Sequence, residues 1–122
     1  MKVLLSIKPE FAELIFSGSK KYEFRKAIFK NPDVKTVVVY ASSPVQMVIG
    51  EFEIDRILVE EPRNLWEQTK EYSGVSEVFF FKYFSKRERG FAIKVKKTKR
   101  YKKPLCLRAT YNTTPPQSFC YV

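Results

Sequence analysis

The chain has 122 residues, 44% hydrophobic and 16% aromatic, enough apolar material for one core and a single domain spanning 1–122. It has no histidine, which excludes Ser-His-Asp and Cys-His catalysis and argues against a zinc site. The net charge of +10, from 23 basic and 13 acidic residues, favours a polyanionic partner.

Lys2–Ile7 reads as a buried strand, with Val3, Leu4, Leu5 and Ile7 apolar. The chain opens on this strand, without the charged leader and apolar stretch of a secretory signal. A helix is expected from about Pro9 to Ser17, with Phe11, Leu14 and Ile15 on its apolar face and Gly18 ending it. Lys8 then falls at the cap position, where Ser, Thr, Asp or Asn is preferred, and its charge opposes the helix dipole.

Lys20–Lys26 has the period-2 pattern of a half-buried strand, with Tyr22 and Phe24 alternating against Lys21, Glu23 and Arg25. Glu23 and Arg25 therefore point the same way. After a loop with Asn31-Pro32-Asp33 as its turn, Lys35–Ala41 holds the apolar run of a central strand. Ser42-Ser43-Pro44 breaks it, and Val45–Val59 forms the next strand or bent pair. Gly50 inside that strand suggests a bulge or a close backbone approach.

Pro62 opens a helix to about Tyr72, with Leu65, Trp66 and Thr69 facing inward and Ser73-Gly74 as its stop. Ser76 can cap another helix through Phe84, although the aromatic run leaves helix and strand open. Phe91–Lys97 is the last long strand. Residues 98–116 read as irregular, and Ser118–Val122 as a short returning strand. The order β-α-β-β-β-α-α-β lacks regular strand–helix alternation. It predicts an α+β fold, a small mixed or antiparallel sheet curled into a barrel with flanking helices.

Charge is unevenly distributed. Glu88 is the last acidic residue, and Lys94, Lys96, Lys97, Lys99, Arg100, Lys102 and Lys103 follow it. These cations are the candidate contacts to a nucleic-acid backbone. A ligand cleft is expected from Lys8, Lys20, Lys21, Glu23 and Arg25, with Ser42 and Ser43 as adaptable donors. Tyr22, Tyr40 or Tyr101 could stack a base. Cys106 and Cys120 lack metal-ligand spacing and an activating partner, and read as buried or inert thiols of a reduced, cytoplasmic protein. No stretch is long and apolar enough for a membrane helix.

Three segments together resemble one family: Ser6-Ile7-Lys8-Pro9 entering a helix, Gly18-Ser-Lys20-Lys-Tyr-Glu23-Phe-Arg25, and Val39-Tyr40-Ala41-Ser42-Ser43-Pro44 followed by Gly50-Glu-Phe-Glu. The chain resembles an ASCH domain of the PUA-like superfamily from about Lys2 to Lys97. The resemblance implies a β-barrel with a cleft beside the first helix, no cofactor, and RNA binding or a role in transcription or translation-linked regulation. One branch resembles small amidohydrolases of N4-acylcytidine that use a Lys, a Thr and a distant Glu. Lys20 matches that Lys, and Glu23 stands where the branch has Thr. Glu67, Glu71 and Glu77 are candidates for the distant Glu. If the chain is an enzyme, Lys20 and Glu23 carry its chemistry.

Overall fold

The computed structural model describes all 122 residues. Its strands are β1 (Lys2–Ile7), β2 (Tyr22–Arg25), β3 (Thr36–Ala41), β4 (Met47–Glu60), β5 (Gly90–Leu105) and β6 (Cys120–Tyr121). Its helices are α1 (Pro9–Ser17), α2 (Pro62–Thr69), α3 (Glu77–Tyr83) and α4 (Leu107–Tyr111). One mixed sheet runs in the order β2-β5-β4-β3-β1-β6 and curls into a PUA-like half-barrel. The β1–β3 pair is parallel and the others antiparallel. The two edge strands, β2 and β6, are four and two residues long, which limits the unpaired backbone they present.

The inner face of the sheet buries Val3, Leu5, Ile7, Val37, Val39, Phe52 and Ile93 against Ala12 and Ile15 of α1. A second cluster joins Tyr22 and Phe24 of β2 to Leu65 of α2 and Phe80 and Phe84 at α3. A third sets Leu4, Val38, Tyr40 and Val48 against Leu107 of α4. Gly50 is a bulge and a close approach together. The register shifts beside it, and a Cβ there would lie 2.6 Å from both the Lys99 carbonyl oxygen and the Phe16 ring.

The aromatic run after Ser76 is helical, and the Ser76 hydroxyl accepts the Phe79 N–H at 3.1 Å. Residues 98–116 differ from the irregular reading. Thr98–Leu105 continues β5, and Leu107–Tyr111 forms α4. The Thr-Lys-Arg-Tyr-Lys-Lys stretch has no apolar alternation of its own. It is a strand because β4 pairs with it from Gly50↔Arg100 to Phe52↔Thr98.

Candidate nucleotide-binding pocket

The end of α1 sets up the site. Gly18 adopts the left-handed conformation at φ 90° and its N–H reaches the Ile15 carbonyl. The Lys20 N–H then bonds the Leu14 carbonyl, and the Lys21 N–H bonds the Tyr72 carbonyl. Lys20 is thereby turned inward just before β2, and its side chain is almost wholly buried, at 2% exposure.

Lys20 Nζ makes one hydrogen bond, donated to the Ser73 carbonyl at 2.6 Å. The ammonium lies 4.7 Å from the Phe24 ring centroid and 5.2 Å from that of Phe11. No carboxylate comes within ion-pair distance of it. Burial pushes its pKa down to about 8, and the nearby Glu23 charge opposes that shift.

Glu23 and Arg25 share one face of β2, as the alternation requires. Glu23 Oε2 accepts from Arg25 Nε at 3.1 Å and lies 3.0 Å from Nη2. Oε1 has no hydrogen-bond partner in the protein. Arg25 also donates to the Ser6 carbonyl at 2.7 Å and the Ser118 carbonyl at 3.4 Å. Its guanidinium is thus spent internally. It orients Glu23 and ties β2 to β1 and to the C-terminal segment.

These groups line a cavity of about 200 Å³ between α1, β2 and α3. Phe11, Phe24, Phe79, Phe80 and Tyr83 supply most of the wall, with Ser6, Ile7, Lys8 and Val75. Phe79 and Tyr83, one helical turn apart, stack at 7° and 6.3 Å. The result is an apolar slot lined by one buried ammonium and one carboxylate, a geometry that accepts a flat ring carrying both an acceptor and a donor.

Of the expected cleft residues, Lys8, Lys20, Glu23 and Arg25 come together here. Lys21, Ser42 and Ser43 do not line the pocket. Lys21 lies just before β2, its N–H held by the Tyr72 carbonyl, and its exposed ammonium sits 4.2 Å from the Tyr72 ring centroid. Ser42 and Ser43 lie in the turn after β3. Tyr22 and Tyr40 are buried in the core, and Tyr101 packs against the third cluster and donates its hydroxyl to Glu51 at 2.7 Å. The aromatic walls come instead from Phe11, Phe79 and Tyr83, whose helical spacing in the sequence reads as packing. Glu67, Glu71 and Glu77 are exposed and away from the cavity, and Glu67 pairs with Lys70. Cys106 is exposed rather than buried.

The basic stretch after Glu88 is less one-sided in space than in sequence. In the β4–β5 ladder Lys97 sits opposite Glu53 and Lys99 opposite Glu51. Lys94 reaches Asp55 at 3.5 Å, and Arg100 pairs with Glu13. Lys96, Lys102 and Lys103 are exposed and have no ion pair.

The ASCH domain family model matches residues 5–105. The chain belongs to the ASCH family. Its fold matches the crystal structure of ASCH from Zymomonas mobilis with a TM-score of 0.90 at 29% identity, covering 99% of this chain and 87% of that one. An ASCH domain-containing ribonuclease of Zymomonas mobilis is 32% identical over 91 residues, 75% of this chain and 62% of the relative. Two matches to larger proteins come from Ureaplasma parvum. ATP synthase subunit alpha is 31% identical over 98% of this chain, and large ribosomal subunit protein uL22 is 24% identical over the same share. This ASCH chain spans 15% of the length of the first and 39% of the second. No helix of the ASCH structure is long and apolar enough to cross a membrane.

Proposed function

We propose that this ASCH domain binds RNA, or a nucleotide, by taking one unstacked base into the pocket of Lys20 and Glu23. The observation that carries the reading is the pairing of a buried Lys20 ammonium with an unpartnered Glu23 Oε1 inside aromatic walls. A base edge offers a ring nitrogen or carbonyl to the first and an amino or imino hydrogen to the second. Phe11, Phe79 and Tyr83 meet its faces. Lys96, Lys102 and Lys103 on β5 supply sequence-independent attraction to the backbone. The ribonuclease name of the Zymomonas relative supports RNA as the polymer.

One observation favours a second reading, hydrolysis of an N4-acylated cytidine-type nucleoside. With a pKa of about 8, about one Lys20 in ten is neutral at pH 7. A neutral amine could take a proton from the attacking water and return it to the leaving amine, while Glu23 holds the leaving group.

The test is binding of labelled mixed-sequence single-stranded RNA to wild type, Lys20→Met and Glu23→Gln. RNA integrity and acid release from N4-acetylcytidine are followed in parallel. Weaker binding by both variants with intact RNA supports the binding reading. Equal binding by all three refutes it. Acid release that vanishes with Lys20→Met selects the amidase.

A further inference from the structure

We infer that Lys8 and Lys26 form a phosphate-binding rim at the mouth of the pocket, so that the site takes a nucleoside monophosphate unit rather than a base alone. The inference rests on the nucleotide reading above. The cavity of about 200 Å³ holds little more than a flat ring, so the ribose and phosphate of a bound nucleotide must stay at the mouth. Lys8 lines the cavity itself, and Lys26, outside the lining, stands over the ring of the lining Tyr83. Lys8 Nζ lies 5.8 Å from the Phe79 centroid and 5.9 Å from that of Phe11. Lys26 Nζ lies 4.7 Å from the Tyr83 centroid.

Both lysines are exposed, and neither has a carboxylate within 4.0 Å. That separates them from Lys94 and Arg100, whose charges are paired inside the protein. Each ring holds its ammonium without neutralising it, so the charge remains available to an anion. Lys8 also stands at the cap of α1 and makes no capping hydrogen bond. A cation there is unfavourable toward the helix dipole until an anion arrives between them. Glu23 also lines the cavity below, and the protein engages only its Oε2, which leaves Oε1 for a ligand. A phosphate directly over that carboxylate would be repelled, whereas at the rim it meets Lys8 and Lys26.

The experiment measures calorimetric affinities of the four ribonucleosides and of their 3′- and 5′-monophosphates, at low and high salt. The proteins are wild type, Lys8→Met, Lys26→Met and the double variant. The reading is the affinity ratio of each monophosphate to its own nucleoside. The expected wild-type ratio is about tenfold for one of the two phosphate positions at low salt, falling with added salt. In the double variant the ratio should drop to near one. A wild-type ratio of one, or a ratio that survives in the double variant, overturns the rim while leaving the base pocket in place. If wild type binds neither nucleosides nor monophosphates, the nucleotide reading falls and the rim with it.

Discussion

Gly74 leans on the side chain of Lys20. A Cβ at position 74 would lie 2.5 Å from Lys20 Cγ and 2.6 Å from its Cβ and Cδ, and Gly74 itself has φ +70°. The turn after α2 is therefore the template that holds the Lys20 stem while the Ser73 carbonyl accepts a hydrogen bond from its ammonium. Two demands meet at one residue, a left-handed backbone and no side chain.

Gly74→Ala should thus do more than strain the backbone. Gly18→Ala is the matched control, because Gly18 also has positive φ but nothing within 4 Å of a Cβ. Both variants should lose about 1 kcal/mol from the backbone alone. Gly74→Ala should lose more in urea unfolding and should weaken RNA binding, whereas Gly18→Ala should keep wild-type affinity. Equal behaviour of the two would show that the Lys20 stem yields freely.

Lys20 should cost stability at neutral pH. Its folded pKa of about 8 lies below the ordinary 10.5, because burial disfavours the charged form. Below pH 8 both folded and unfolded states hold the proton, and the folded state bears the whole desolvation penalty. Between 8 and 10.5 the folded state releases the proton first, so wild-type stability rises with pH across that window. The penalty is about 3 kcal/mol, partly offset by the Ser73 hydrogen bond. Lys20→Met should therefore be more stable than wild type at pH 7 by about 1–2 kcal/mol. Its advantage should shrink from pH 8 to 10.5, as read by denaturant midpoints, while RNA binding is lost.

Arg25 should be needed for the shape of the site rather than as a free contact. Removing it leaves the Glu23 carboxylate, on a side chain 8% exposed, without its cation, and frees the Ser6 and Ser118 carbonyls. Arg25→Ala should cost about 2–4 kcal/mol in urea unfolding. Arg25→Lys should recover only part of that, since an ammonium cannot reach three acceptors with the fork of a guanidinium. A full rescue by lysine would contradict this role.

The organisation of the sheet explains what could be read in advance. β1, α1, β3 and the Gly50 bulge follow from local apolar periods and a single glycine, and they stand where the pattern puts them. The Lys8, Lys20, Glu23 and Arg25 cluster was legible because three of its members belong to one helix-to-strand turn. The second half of β5 was not legible, since Thr98–Leu105 is strand only because β4 pairs with it across the ladder. The aromatic wall was also hidden. Phe79 and Tyr83 lie far along the chain from Phe11, and nothing local distinguishes a pocket-lining phenylalanine from a core one. Phe84, next in sequence to Tyr83, is such a core residue.

Pairing across that ladder also divides the β5 lysines into two groups. Lys96, Lys102 and Lys103 stand opposite no carboxylate, whereas Lys97 and Lys99 stand opposite Glu53 and Glu51, and none of the five is in an ion pair. Changing the first three to Gln should lower the salt slope of RNA binding by about 2, at roughly 0.7 for each phosphate no longer neutralised. Changing Lys97 and Lys99 should lower it much less. The slopes come from affinities measured across a salt series, and equal effects per lysine would contradict the division.

The measurement closest to the central claim compares wild type with Phe79→Ala for labelled single-stranded RNA across the same salt series. Phe79 is 36% exposed and walls the pocket, so its removal spares the core. A base stacked there predicts an unchanged salt slope with affinity lower by about tenfold, near the low end for one base–aromatic contact. Identical affinity in the two proteins would mean that RNA meets only the basic surface and that no base enters the pocket.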